Sequence, residues 1–212
     1  MAQTVSLPAP EDGLCLKMLA LVLWFAAVCA LGLGRDRLRL LRFPLGLLAF
    51  MIPLPAAVLT GLETLSQYGS AAVANGLFTL SGIPVLQDGL IFRLPGQISF
   101  QVAPECSGLH STVVLLITSL VAGHLMLRSW WKRALLVLVV VPLALLRNGF
   151  RIYVIGRLCI HYGPGMFQHW IHRRGGPVFF VLSLVPFFGL LIWLIKTERR
   201  GERRHPASTT PS

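Results

Sequence analysis

Three kinds of reactive side chain stand near the ends of long apolar runs in this 212-residue chain. Cys106 lies just before one run, Arg151 follows a second, and His169 and His172 precede a third. A thiolate is a strong nucleophile, and cationic groups or a helix N-terminus favour it. An imidazole can transfer protons, and a guanidinium can stabilise an oxyanion. Together these residues could carry out acyl transfer through a cysteine.

The surroundings of Cys106 are compatible with this chemistry and also with a simpler reading. Cys106 and His110 are four residues apart and so share one helical face. Ser107 and Ser111 are alternative nucleophiles, although hydroxyl residues are also ordinary at a helix start. Cys106 itself could be a small apolar residue near such a start. The other segments are therefore needed to decide between the two readings.

The candidate guanidinium lies in a basic stretch. Asn148 and Arg151 are three residues apart, which places them on one face of a helix. Arg151 could instead contact phosphate headgroups, as Arg at the ends of membrane helices often does. Arg147, Arg173 and Arg174 fit that headgroup role better than a catalytic one.

The histidines leave two further possibilities open. His169 and His172 could lie at the membrane interface beside Trp170 without a chemical role. Cys159 and His161 could join them as zinc ligands, but the spacing matches no common zinc site. We therefore predict no metal and no cofactor.

Composition indicates a membrane protein. The chain is 55% hydrophobic and only 13% charged, with a mean hydropathy of +0.71. Its net charge of +11 would suggest nucleic acid in a soluble protein, but in a membrane protein it is typical of cytoplasmic loops. The four cysteines show no disulfide framework. The first thirteen residues lack the basic residues of a signal peptide, so the first apolar run is expected to remain as an anchor.

The apolar runs predict an all-α polytopic membrane protein with about five transmembrane helices. Their expected positions are 14–34, 43–61, 106–127, a span that begins at Ala134, and 177–195. We expect four regions: an N-terminal helix pair (1–61), an extracytoplasmic segment (62–105), a catalytic core (106–195) and a basic, disordered tail (196–212).

The extracytoplasmic segment should contain a helix and a small β-hairpin. Residues 62–82 are amphipathic and rich in small residues, which predicts a helix lying on the membrane surface. Residues 97–102 alternate strictly between polar and apolar types, as a half-buried strand does. Residues 90–94 can form the partner strand, with Pro95 and Gly96 in a type II turn.

Basic clusters predict the orientation. Segments 35–42, 128–133 and 196–205 each carry a net charge of +3 and fall on one side of a five-span protein. That side should be cytoplasmic, because lysine and arginine concentrate in cytoplasmic loops. Cys106, Arg151 and His172 would then meet on the outer side. The stretch 147–176 holds five arginines and no acidic residue, which favours a functional role there.

The chain resembles the exosortase/archaeosortase family of membrane cysteine transpeptidases in three ordered blocks. They are Glu105-Cys106-Ser107-Gly108-Leu109, Asn148-Gly149-Phe150-Arg151-Ile152-Tyr153 and His172-x-x-x-Gly176-x-Val178-Phe179-Phe180, within about residues 60–195. The resemblance implies that Cys106 is the nucleophile and that Arg151 and His172 are the essential arginine and histidine. It also implies supporting roles for neighbours in or near these blocks: Glu105, Ser107, Gly108, His110, Asn148 and His169. The family usually has Arg at the position of His110.

The resemblance implies a partner and a reaction as well. Such enzymes recognise a C-terminal signal of secreted proteins, made of a short motif, a transmembrane helix and a basic cluster. Cleavage would occur at the outer face of the cytoplasmic (inner) membrane through a thioester, in contact with lipid and without nucleic acid. The outer arginines could bind an acidic residue of the motif. Two alternatives are a metal-dependent intramembrane hydrolase that uses the outer histidines and a non-enzymatic assembly or lipid-binding protein.

Overall fold

A computed structural model describes residues 10–95, 98–102, 108–163 and 176–204. Glu105, Cys106, Ser107, His169 and His172 lie outside the described residues. The chain divides into two compact units, residues 1–62 and 63–212. The four-region organisation expected from the sequence stays a prediction.

The first unit is dominated by helix α1, Pro10–Leu47. Its part Gly13–Gly32 is long and apolar enough to cross a membrane, and none of it is buried within the protein. The expectation of a loop at 35–42 was wrong, because α1 continues through it. Leu and Arg, which favour helices, make up most of that segment, and Pro44 is the first proline in α1 after Pro10.

The span expected at 43–61 was also wrong in its bounds. A short 3-10 helix, Leu48–Met51, follows α1, and helix α2 begins only at Ala56 and ends at Leu80. Pro53 and Pro55 lie in the break. Proline removes a backbone donor and disfavours helical backbone in the residue before it, so two prolines in three residues end a helix rather than kink it.

Helix α2 supplies one wall of the larger unit through a face of small residues. Ser70, Ala71 and Ala74 are buried on it. This face packs against helix α4, Trp130–Tyr162, at two glycines. A Cβ on Gly149 would lie 2.5 Å from Cγ1 of Val73, so the two backbones approach as closely as small residues permit. The predicted helix at 62–82 is confirmed, with an earlier start.

A three-stranded antiparallel sheet follows α2. Its strands are β1 (Leu86–Asp88), β2 (Ile91–Leu94) and β3 (Ile98–Gln101), in that order. The predicted hairpin is confirmed, because β2 pairs with β3 with Leu94 opposite Ile98. Sequence reasoning missed β1, which turns into β2 at Gly89, a residue with a φ of +60°.

The sheet shares a core with α2 and α4. Phe78, Phe92, Leu94, Val102 and Ile152 are buried together there. The alternating pattern of the third strand thus directs its apolar residues toward this core. The sheet packs against the C-terminal part of α4, near Gly156, where a Cβ would lie 3.4 Å from Leu94.

Three helices form the second core. Helix α3 (Leu109–Met126), α4 and helix α5 (Gly176–Arg204) bury Leu115, Leu136, Val140, Phe187 and Leu191 among them. Helix α4 ends at Tyr162, nine residues after Tyr153. It therefore includes the first residues of the polar stretch that the sequence reading placed at 157–176.

The C-terminal helix extends further than expected. Residues 196–204 belong to α5, so the prediction of a disordered tail from 196 was wrong for them, and 205–212 lie outside the described residues. Glu198 gives the physical reason: its carboxylate accepts the backbone N–H groups of Ser129 (2.7 Å) and Arg128 (3.2 Å). It therefore caps the start of α4 at the end opposite Gly108.

The predicted number of spans is confirmed within one. Within the described ranges four helices are long and apolar enough to cross a membrane, in α1, α3, α4 and α5. The count reaches five if Arg37–Met51 and Ala56–Leu80 together form one span across the proline break. The protein is a mostly helical, polytopic membrane protein with a small sheet.

Candidate active site

A cleft of about 620 Å³ lies where the starts of α3 and α5 meet the middle of α4. The lining residues that the structure describes come from α2, the first turns of α3, α4 and the first turns of α5. They are Glu63, Gly108, Leu109, His110, Ser111, Val114, Arg151, Gly176, Pro177 and Phe180. The cleft thus combines an apolar wall with a few charged and polar groups, as ligand sites commonly do.

Arg151 is the guanidinium of this cleft. It is half-buried in α4, on the side that faces the starts of α3 and α5. A guanidinium offers five donors in a planar fork, which suits a carboxylate or a developing oxyanion. Arg151 therefore lines the same cleft as Gly108 and Gly176, and its role beside Cys106 and His172 stays a prediction.

The entry to α3 is built around the carbonyl oxygen of Gly108. This oxygen accepts the N–H of Thr112 (3.0 Å) and the hydroxyls of Ser111 and Thr112 (both 2.9 Å). Gly108 has a φ of +67°, a left-handed conformation that favours glycine. Ser111 thus acts as a helix-start hydroxyl, and its Oγ is engaged.

Arg147 also contacts Gly108, so its assignment to lipid headgroups was wrong. The side chain is only 9% exposed. Its Nη2 donates to the carbonyl oxygen of Gly108 at 3.2 Å and lies 3.5 Å from Oγ1 of Thr112. Sequence reasoning missed this inward direction, because hydropathy places an arginine at a helix end without saying which neighbour it faces.

Asn148 is buried between helices α4 and α2 rather than facing the cleft. It is 2% exposed, and its Nδ2 donates to the buried Oγ of Ser70 at 3.0 Å. This bond joins α4 to α2 behind the cleft, and Asn148 does not line the cleft. The structure therefore gives Asn148 an interhelical hydrogen bond beside Arg147.

Besides Arg151, two of the described cleft residues carry charge or can acquire it. His110 is exposed on the first turn of α3, where the sequence reading placed it. Glu63 was missed by that reading, which treated its helix as a surface element. The sequence feature that could have revealed Glu63 is a single carboxylate in an otherwise apolar and small-residue helix beside a predicted span. Charged residues are costly in such a place.

The remaining candidate residues lie outside the described ranges. Cys106 and Ser107 directly precede Gly108 in sequence, and His172 precedes Gly176 by four residues. Within the described ranges, no group of three His, Cys, Asp or Glu side chains is placed to hold a metal ion. Of the proposed zinc ligands, Cys159 is fully buried and His161 is exposed.

Comparison with known proteins decides the family. The family model described as Transmembrane exosortase (Exosortase_EpsH) matches residues 7–189. The chain belongs to the transmembrane exosortase family. No curated protein and no solved structure gives a match.

Membership of the exosortase family agrees with the resemblance found in the three sequence blocks. Exosortases are broadly a class of membrane cysteine transpeptidases. The family match and the apolar helices make this exosortase an integral membrane protein. The cleft around Arg151 lies within the matched residues, and so do all the candidate catalytic residues.

Proposed function

We propose that this chain is a membrane-embedded cysteine protease and transpeptidase that cleaves a C-terminal sorting signal of secreted proteins at the outer membrane face. The observation that carries the proposal is the convergence of three segments on one cleft. Gly108, Arg151 and Gly176 line it together. The proposal assigns the nucleophile to Cys106, the guanidinium to Arg151 and the general base to His172.

Chain connectivity supports this assignment. A polypeptide extends by about 7 Å over two residues and about 14 Å over four. Cys106 is two residues from Gly108, and His172 is four residues from Gly176. A thiol and an imidazole tethered to two walls of the cleft can both reach a substrate bound against Arg151.

The proposed reaction has two steps. His172 accepts the proton of the Cys106 thiol, and the thiolate attacks the scissile carbonyl carbon. Arg151 hydrogen-bonds the resulting oxyanion or orients a substrate carboxylate. Collapse breaks the C–N bond, the imidazolium protonates the leaving amine, and a thioester on Cys106 remains. In the second step His172 takes the proton of an acceptor (water, lipid or glycan), the acceptor bonds to the acyl carbon, and the C–S bond breaks to release the Cys106 thiolate.

The charge distribution supports an outward-facing cleft. The opposite end of the helices carries Arg128, Lys132, Arg133, Arg199 and Arg200. Lysine and arginine concentrate on the cytoplasmic side. Helix α3 separates the two ends by its 18 residues, about 27 Å at 1.5 Å per residue and close to the hydrocarbon thickness of a bilayer.

The decisive experiment uses a secreted reporter that ends in a short motif, an apolar helix and a basic cluster. Cys106→Ala and Cys106→Ser should each abolish its processing while membrane insertion stays intact. Cys29→Ser is the matched control, because it removes a thiol from the first compact unit, residues 1–62. Mass spectrometry of a trapped thioester between Cys106 and the reporter would identify the intermediate.

The same assay separates the alternatives. A metal-dependent hydrolase would lose activity with chelators and resist thiol alkylation, and a lipid-binding protein would not need Cys106. Processing that survives in Cys106→Ala would overturn the proposed function.

Charge reversal at Arg173 and Arg174 tests the substrate contact by itself. If these arginines bind an acidic residue of the motif, reversal should weaken processing, and a matching reversal in the reporter should restore part of it. Unchanged processing would remove this contact and leave the cysteine chemistry untouched.

A further inference from the structure

Arg147 lies where three helices meet below the cleft. It precedes Arg151 by one turn of α4, and its Nη2 donates to the carbonyl oxygen of Gly108 at the entry to α3. Its guanidinium carbon lies 6.0 Å from the centroid of the Phe180 ring in α5. One buried side chain therefore contacts the two helix starts that line the cleft.

Fold stability alone does not account for a guanidinium at this position. Burial of a charge is unfavourable unless a partner compensates it, and within the described part of the chain the charged group that acts on Arg147 is another guanidinium, that of Arg151. The start of α3 adds the positive end of a helix dipole. Among the residues that the structure describes, Nη1 of Arg147 is buried and has no hydrogen-bond partner. The setting concentrates positive charge, which favours an anion close by.

Gly108 connects the contact of Arg147 to the segment of Cys106, because Cys106 is only two residues away along the chain. A Cβ on Gly108 would lie 2.9 Å from Nη2 of Arg147, so only glycine permits this contact without displacement of the guanidinium. Gly108 has a left-handed backbone at the start of α3. Ser107 and Cys106 directly precede it in sequence.

We infer that Arg147 is a positioning residue for the nucleophile: it clamps the carbonyl of Gly108, two residues after Cys106, and its charge favours the thiolate over the thiol. The inference rests on the proposed function of Cys106. It assigns the two arginines of α4 separate tasks, since Arg151 faces the cleft and Arg147 holds the segment that carries the nucleophile.

The test measures the thiolate without a substrate. In the full chain in membrane vesicles, Cys15, Cys29 and Cys159 are replaced so that Cys106 is the remaining thiol, and its rate of maleimide alkylation is followed against pH. We expect Arg147→Met to move the midpoint of this profile upward by about one pH unit and to slow alkylation at pH 7 about tenfold.

Two further variants separate charge from geometry. Arg147→Lys keeps the charge and loses the planar fork, so the midpoint should stay near that of the parent while reporter processing falls. Gly108→Ala disturbs the same contact, because the added Cβ would lie 2.9 Å from Nη2 of Arg147. In the Arg147→Met background, Gly108→Ala should shift the alkylation midpoint less than it does in the parent, because the hydrogen bond from Arg147 to Gly108 is already absent.

Arg157→Met is the matched control. Arg157 is exposed on the same helix, and its Nη1 donates to the hydroxyl of Tyr153, away from the cleft. An unchanged profile in Arg147→Met, or an equal shift in Arg157→Met, overturns the inference. Should Arg147→Met fail to accumulate in the membrane, unchanged profiles and processing in Arg147→Lys and Gly108→Ala together overturn it.

Failure of the inference and failure of the proposed function give different results. If processing survives in Cys106→Ala, the proposed function fails whatever the alkylation profile shows. If Cys106 is essential but Arg147→Met leaves its profile unchanged, the positioning role alone fails.

Discussion

At the scale of single residues, the structure gives different neighbours to Asn148 and Arg151, which sequence reasoning placed in one block, and to Arg147, which it assigned to lipid headgroups. Arg151 lines the cleft, Arg147 is buried against Gly108, and Asn148 bonds to Ser70 of α2. Asn148 points about 100° away from Arg147, and Arg151 lies about one turn, roughly 6 Å, further along the helix, so the three side chains meet different neighbours. Arg151 therefore lines the cleft, Arg147 holds Gly108, and Asn148 joins α4 to α2.

We expect Arg151→Lys to lower reporter processing by at least about 100-fold, because an ammonium cannot reproduce the guanidinium fork toward an oxyanion or carboxylate. Processing rates at equal amounts of inserted protein measure the effect. Arg157→Lys, two turns later on α4, should process normally. Equal rates in Arg151→Lys and the parent would contradict a role for Arg151 in the reaction.

At the scale of elements, small residues determine how closely α2 approaches α4. At this joint Gly149 of α4 lies against Ser70 and Val73 of α2, and Gly156 of α4 lies against Phe78 of α2. A close approach of backbones gives van der Waals contact that lipid cannot replace, which is why small residues are enriched at helix contacts in membranes. Arg147 and Arg151 lie next to this joint, so its geometry affects the cleft.

Gly149→Ala should destabilise the protein by about 1–3 kcal/mol, because the added Cβ would lie 2.9 Å from the backbone oxygen of Ser70 and force the helices apart. Thermal unfolding in detergent measures the loss. Gly76→Ala is the control, since a Cβ there meets nothing within 4 Å. Equal melting temperatures for the two variants would show that α2 and α4 can move apart at Gly149 without loss of stability.

The carboxylate cap at the other end of the bundle gives a second prediction at this scale. Glu198→Ala should remove the acceptor for the N–H groups of Arg128 and Ser129 and cost about 1 kcal/mol, as loss of a helix cap does. The same detergent melt measures it. Glu198→Gln should lose less, because the amide oxygen still accepts one bond. A melt unchanged in Glu198→Ala would rule the cap out as a stabilising contact.

At the scale of the larger unit, α3, α4 and α5 place the cleft and two basic segments, 128–133 and 196–200, at opposite ends of one bundle. Contacts define both ends: Arg147 with Gly108 at the first, and Glu198 with Ser129 at the second. Helix α4 has 33 residues, about 50 Å, and so exceeds the roughly 30 Å of a hydrocarbon core. Its C-terminal part carries the sheet beyond the cleft.

Orientation can be tested with single cysteines in a background without native thiols. Asp88→Cys in the sheet should react with a membrane-impermeant maleimide in intact cells, and Arg200→Cys near the end of α5 should react only after permeabilisation. Both positions are exposed. The positive-inside bias of the basic end gives the physical reason. The reverse labelling pattern would place the cleft on the cytoplasmic side and contradict the proposed outward reaction.

The sequence by itself determined the class of protein, the approximate positions of most apolar helices, the hairpin and the family blocks. The class, the helices and the hairpin follow from composition and periodicity, and the family blocks follow from a resemblance in residue order; all of these are local. Only the tertiary structure decided that α1 continues through 35–42, that two prolines divide the expected second span, and that β1 joins the hairpin. Only the tertiary structure shows that Arg147 contacts Gly108 and that Glu63 lines the cleft. A side chain's neighbours depend on how distant helices pack, and one-dimensional hydropathy contains no information about that packing.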